Sequence, residues 1–228
     1  MAEVKDSKIG NLRGKLGNLT ARIVYGKTIL SARPINYRVS YAPHLVRQRN
    51  KFTVSSKFAQ KLITLSALRE IWLKYKEAGM SAYNYIIKTN YPMTSPEKPT
   101  VNNIITPHGG FHLPATHVSI ATHKVSVWMA PLDSVITAKA NEQKFVLNGV
   151  LCYYNPFTRK DDPYVITTIG HAPSVLNIDN NVVLEFTLNE IQHRTAMKYR
   201  NYILYLALAT LDGGGRVVQY SETFVREE

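Results

Sequence analysis

The apolar positions change their period once along the chain. From His44 to Leu65 no Gly or Pro intervenes, and Phe58, Leu62 and Leu65 recur at i, i+4 and i+7, the spacing of one helical face. Pro43 suits the first turn of that helix. Leu65, Leu68, Trp72 and Tyr75 form a second stripe, which predicts a helix over Ala67–Ala78 with Ser66 as its cap and Gly79 as its stop. A third, shorter helix begins with Ser81 as cap and turns Tyr83, Ile86 and Ile87 inward. Beyond His117 the period falls to two, as where Val125, Val127 and Met129 alternate with Ser126 and Trp128. Strands are expected at His117–Thr122, Lys124–Met129, Lys144–Asn155, Tyr164–Ile169, Asn181–Thr187, Tyr202–Thr210 and Arg216–Val225. Turn chemistry separates them: Asn148-Gly149 (or a bulge there), Asn155-Pro156, Asp161-Asp162-Pro163, Asp179-Asn180 and Asp212-Gly213-Gly214-Gly215. Seven short strands over about 110 residues predict an immunoglobulin-like sandwich without its disulfide.

The ends of the helical region behave differently. Lys8-Ile-Gly-Asn-Leu-Arg-Gly is echoed by Lys15-Leu-Gly-Asn-Leu-Thr-Ala, and glycine at positions 10, 14 and 17 argues against a coiled coil, since each costs about 1 kcal/mol in a helix. Gly-Asn favours tight turns between extended pieces. Leu19–Val24 and Thr28–Ala32 flank Gly26 as a hairpin that ends at Arg33-Pro34. Residues 92–116 are rich in Pro and contain Gly109-Gly110, which reads as a linker over the surface. The expected class is therefore α+β, with a hairpin-and-helix module over 1–91, a linker over 92–116 and the sandwich over 117–228.

Composition narrows the setting. The longest nearly unbroken apolar run, Tyr202–Leu211, falls well short of a helical membrane span, which needs about 20 residues. The segment MAEVKDSK has no apolar stretch after a basic head, so no secretory signal is visible. One cysteine, Cys152, excludes an internal disulfide framework and fits a reducing, cytoplasmic setting. Its neighbours Val150, Leu151 and Tyr153 mark it as a small buried hydrophobe.

Charge changes the picture most. Residues 1–100 hold 18 Lys/Arg against 5 Asp/Glu, whereas residues 101–228 hold 10 against 11. Between Asp6 and Glu70 there are 13 basic side chains and no acidic one. An all-positive segment repels itself on compaction, so it implies a polyanion or an acidic protein surface as partner. The plain alternative is a basic solvated face without a dedicated partner.

Chemistry for catalysis is weakly represented. His108, His112, His117 and His123 fall within sixteen residues, and imidazoles at such spacings could ligate Zn²⁺. No cysteine or carboxylate accompanies them, and Pro107, Gly109, Gly110 and Pro114 interrupt the segment. Asp161-Asp162 precede a proline and read as a turn, and Glu185 and Glu190 lie at a strand and its end. Nothing sets two carboxyl groups at the ~5–9 Å separation a glycosidase needs. No nucleophile elbow is present, and the Gly213–Gly215 run lacks a following Lys-Ser/Thr and a helix. The expectation is a non-enzymatic protein with no cofactor and no metal, with the four histidines as the open alternative.

Several blocks together carry a family resemblance: Gly14-Lys15-Leu16-Gly17-Asn18, Gly26-Lys27 leading to Arg33-Pro34, Gln48-Arg49-Asn50-Lys51-Phe52, Met80-Ser81-Ala82-Tyr83-Asn84, Tyr154-Asn155-Pro156 and Leu206–Gly213. With these blocks the chain resembles a bacterial family of uncharacterised proteins of similar length, catalogued as a domain of unknown function. The resemblance covers most of the chain. It implies a helical N-terminal part followed by an immunoglobulin-like C-terminal part, and it brings no catalytic residue or ligand.

The functional expectation follows from charge and aromatics. Arg13, Lys15, Arg22, Lys27, Arg33, Arg38, Arg47, Arg49 and Lys51 are the candidate polyanion-binding residues, each able to meet a phosphate. Tyr25, Tyr37, Tyr41 and Phe52 could stack on exposed bases; the plain alternative is that they are core, a reading that suits Phe52 better than Tyr37 or Tyr41. No helix-turn-helix, zinc-finger or RNA-recognition signature is present, so contact would be backbone-directed. The alternative is self-assembly: basic arms can add as strands to a neighbour's sheet, and sandwiches serve as protein-interaction modules in virions, filaments or envelope arrays. A homo-oligomer belongs to that alternative.

Overall fold

A computed structural model describes the chain except residues 1, 5–11, 25, 34–37, 122 and 138, and gives the backbone alone at 2–4 and 16. Gly17 and Gly26 take positive φ (56° and 76°), which lets the chain reverse tightly on either side of one strand. Four short strands result: β1 (Ala2–Val4), β2 (Gly14–Leu16), β3 (Leu19–Val24) and β4 (Lys27–Ala32). They form one antiparallel sheet in the order β1-β4-β3-β2. The hairpin expected around Gly26 is its centre, with Val24 opposite Lys27. Residues 1–46 form one compact unit and residues 47–228 the other.

Apolar stripes at helical spacing produce α1 (Pro43–Thr64), α2 (Ser66–Tyr75) and α3 (Ala82–Asn90). Phe58, Leu62, Leu68, Trp72 and Ile86 are fully buried. Ser81 caps α3 as expected, accepting from the Asn84 amide at 3.2 Å. Ser66 does not cap α2; it is the first helical residue, because Leu65 holds the extended N-cap conformation.

Alternating segments then give β5 (Ala115–Ala121), β6 (Lys124–Met129), β7 (Glu142–Pro156), β8 (Tyr164–Gly170), β9 (Ser174–Val175) and β10 (Val182–Thr187). A short helix, α4 (Glu190–Ala196), follows on an Asn189/Gln192 capping box. The chain ends with β11 (Tyr199–Asp212), β12 (Val217–Tyr220) and β13 (Phe224–Glu227). One antiparallel sheet runs β10-β6-β5; the other is built on the path β12-β11-β7-β8, with β13 on β11 and β9 on β7. The segment expected as one strand, Arg216–Val225, is thus two, divided where Ser221 and Thr223 turn to side-chain hydrogen bonding.

Alternation along β7 and β11 explains the layering. Phe145, Leu147, Leu151, Leu204, Leu206 and Leu208 pack with Val125, Val127, Leu184 and Phe186 of the three-stranded sheet. Val146, Val150, Cys152, Ile203, Tyr205 and Ala207 pack against α1, α2 and α3. The six-stranded sheet is therefore covered on both faces, which is why Tyr202–Leu211 is almost continuously apolar. The architecture is mixed α+β with antiparallel sheets.

Two expectations change here. Asn148-Gly149 is neither a turn nor a bulge but mid-strand in β7, paired in unbroken register with both β8 and β11. Glycine is required because a Cβ at 149 would lie 2.6 Å from Ile169 Cγ1 and 3.0 Å from Leu206 Cδ2. Residues 92–116 are not a free linker. Asn103, Ile105, Thr106 and Leu113 are buried, and Phe111 forms a parallel bridge with Ser221. The divisions expected at 91 and 116 do not coincide with the observed one at 46/47, because the helices bury their stripes on the six-stranded sheet.

Gly110 sits where that segment meets the last strands. A Cβ there would fall 2.6–2.7 Å from the backbone of Tyr220, Ser221 and Glu222, atoms that cannot rotate away. Gly110→Ala should therefore cost about 2–3 kcal/mol, measured as a lower urea midpoint at unchanged slope.

Candidate functional site

Directly opposed residues of an antiparallel pair project to the same side, as do alternate residues of one strand. In the N-terminal sheet Lys15 pairs with Thr20, Arg22 with Ile29 and Val24 with Lys27. Lys15, Arg22 and Lys27 therefore share one face, and all three are exposed. The other face carries Leu19, Ala21, Ile23, Thr28 and Leu30, with Ala21 and Thr28 buried. Arg33 continues the ladder one residue past β4, its backbone N–H donating to the Asn18 carbonyl at 2.7 Å. Arg13 stands one residue before β2 and Arg38 lies outside the regular elements; both are exposed. Glu3 occupies the β1 position opposite Ile29.

Arg47, Arg49 and Lys51 lie on α1 and belong to the other compact unit. Arg47 and Arg49 are exposed. Lys51 is half-buried: its Nζ donates to the Pro92 carbonyl at 3.2 Å and sits 4.9 Å from the Tyr91 ring centroid. Lys57 lies 5.4 Å from the Tyr164 ring centroid in the same way. The nine candidates thus divide into a sheet face with flanking residues and a short helical run, with Lys51 committed to a fold contact.

Among the aromatics, Tyr25 and Tyr37 lie outside the described residues. Tyr41 is exposed, as expected. Phe52, for which the core alternative weighs more than for Tyr37 or Tyr41, is 53% exposed, because the buried face of α1 begins only at Val54.

The structural division also redistributes charge. Residues 1–46 hold 8 Lys/Arg against 2 Asp/Glu, and residues 47–228 hold 20 against 14. The excess in the second unit lies wholly before Glu70, in Arg47, Arg49, Lys51, Lys57, Lys61 and Arg69.

The catalytic candidates are otherwise engaged. Asp161 accepts from Lys198 Nζ at 3.2 Å, Glu185 pairs with Lys124, and Glu190 pairs with Arg194. Hydrogen bonds from Thr158 and Lys198 hold the Asp161 carboxyl below its ordinary range. Burial pushes the Cys152 thiol up to about 12, so it stays protonated and a poor nucleophile at neutral pH. His117 packs on Trp128 at 4.9 Å and His123 on His193 at 3.8 Å between ring centroids. Among the described residues, no three His, Cys, Asp or Glu side chains gather as a metal would require. Among them, too, no helix is long and apolar enough to cross a membrane.

One polar position was not anticipated. Asn148 is buried on the helix-facing side of β7, and its Nδ2 has no hydrogen-bond partner among the described residues. Its signal in the sequence is a lone amide inside an apolar strand, where Asn148-Gly149 reads as a turn or a bulge.

No protein-family model and no curated protein sequence matches the chain. A structure solved in the study of CC2D1B in the mitotic reformation of the nuclear envelope aligns with 82% of this chain and 77% of its own, at 10% identity and a TM-score of 0.18. A likeness that distant carries neither fold nor function.

Proposed function

We propose that this chain is a non-catalytic binding protein whose basic N-terminal region docks on a polyanion, nucleic acid in first place, through the backbone and without base-specific reading. The observation that carries the reading is the register that sets Lys15, Arg22 and Lys27 on one exposed sheet face. Neighbouring strands lie about 4.8 Å apart, so cations on three of them can meet phosphates along a short stretch of strand. Arg13 and Arg33 flank that face, and exposed Arg47 and Arg49 add charge on α1. Residues 117–228, read as an immunoglobulin-like module, would supply a protein-facing surface. A second reading is assembly without nucleic acid, favoured by β5 and β10, the two edges of the three-stranded sheet.

Salt separates the two. Binding that neutralises ~6–10 phosphates weakens ~10³–10⁵-fold between about 50 and 200 mM salt, while strand addition barely responds. Fluorescence anisotropy on a random duplex of about 30 base pairs measures this, and the Lys15→Ala/Arg22→Ala/Lys27→Ala variant should lower the log–log salt slope by ~2–3. A defined oligomer that ignores both duplex and salt would sink the polyanion reading in favour of assembly.

A further inference from the structure

The charge balance of the second half of the chain hides a local excess. Residues 101–228 hold ten Lys/Arg, and five of them, Arg159, Lys160, Arg194, Lys198 and Arg200, fall within 157–162 and 194–200. Those two segments contain only two acidic residues, Asp161 and Asp162. They are the loop after β7 and the end of α4 running into β11.

Backbone contacts hold the two segments side by side. The Phe157 N–H donates to the Lys198 carbonyl at 2.9 Å, and the Tyr199 hydroxyl donates to the Asp162 carbonyl at 3.0 Å. Two of the cations are paired, Lys198 with Asp161 at 3.2 Å and Arg194 with Glu190. Arg159 and Lys160 are exposed and meet no carboxylate among the described residues. Exposed Arg200 lies 5.2 Å from the Phe157 ring centroid.

Large apolar side chains stand among these charges. Phe157 is 58% and Met197 63% exposed. An apolar recess of about 180 Å³ opens beside Met197, walled by Ile120, Tyr199 and Tyr202. One exposed apolar side chain alone would need no explanation. Two on adjoining segments, beside unpaired cations, make a composite surface. The core of a protein interface excludes charge, and Met197 offers no flat face for a base to stack on. An anionic lipid surface matches both features: it takes apolar side chains between its headgroups and offers phosphates and carboxylates to Lys and Arg.

We infer that this end of β7 and β11 docks on an anionic lipid surface. Phe157 and Met197 enter the headgroup layer while Arg159, Lys160 and Arg200 meet its charges. The docking surface uses none of the residues of the basic N-terminal face.

Phe157→Trp in the full chain reports the insertion, read as the difference in tryptophan fluorescence from the parent. Vesicles of phosphatidylcholine with about 30% phosphatidylserine should shift this emission to the blue, and phosphatidylcholine alone should not. The shift should survive Lys15→Ala/Arg22→Ala/Lys27→Ala and vanish in Arg159→Glu/Lys160→Glu. Met197→Ser should weaken vesicle affinity by ~10-fold, the loss of about 1.4 kcal/mol. No blue shift on anionic vesicles would overturn the proposal, as would a shift that neutral vesicles reproduce or that the N-terminal triple variant loses. A shift produced by a random duplex and not by vesicles would overturn it too, and would assign the surface to nucleic acid.

Discussion

Replacing Trp72 with Ala is expected to destabilise residues 47–228 by about 4–5 kcal/mol, since truncating a buried Trp alone costs about 3–5 kcal/mol. Trp72 is fully buried where α2 meets the rest of the helical core, with Tyr85 edge-on at 5.7 Å. Its Nε1 donates to the Ile105 carbonyl at 2.8 Å, so truncation both opens a cavity and leaves a buried acceptor unpaired. Trp72→Phe separates the two effects. It keeps much of the volume, and the orphaned carbonyl should account for about 1–3 kcal/mol. Guanidinium unfolding followed by circular dichroism gives both numbers. A Phe variant as stable as the parent would show that the Ile105 hydrogen bond contributes nothing.

Asn103→Ala should cost about 3–4 kcal/mol, several times the ~1 kcal/mol of a single average hydrogen bond. The Asn103 amide is fully buried and bridges two segments. Its Nδ2 donates to the Asn90 carbonyl, to Asn90 Oδ1 and to Thr94 Oγ1 at 3.2, 3.0 and 2.8 Å. Its Oδ1 accepts from the Thr100 amide at 2.7 Å. Removing it strands several buried groups together and frees the 92–106 segment from α3. Asn103→Asp keeps the acceptor but loses the donors, and burial raises the new carboxyl above its ordinary pKa. The folded state then binds the extra proton, so stability falls as pH rises above about 4, by up to ~1.4 kcal/mol per unit. A flat stability–pH profile relative to the parent would contradict this account.

The pattern of misreadings is physical. Asn-Gly is a strong turn signal when only neighbours in sequence are considered. At 148–149 it is overridden because Ile169 and Leu206, distant in the chain, occupy the space a Cβ would need. Phe52 is a large apolar side chain, but burial on α1 starts two residues further along, at Val54. Pro and Gly at 92–116 do mark an irregular path. Irregular backbone can still be buried when side chains satisfy it, as Asn90, Asn103, Thr106 and Thr223 do here.

Local periodicity was enough to place α1, α2, α3 and most strands, the hairpin at Gly26, and the block of positive charge before Glu70. These depend on covalent geometry and short-range sterics, which each segment carries by itself. Pairing partners, sheet order and the face each strand presents depend on contacts between segments far apart in sequence. Only the tertiary structure therefore put Lys15, Arg22 and Lys27 on one face, covered the six-stranded sheet on both sides, and left Asn148 with a donor aimed at no protein acceptor.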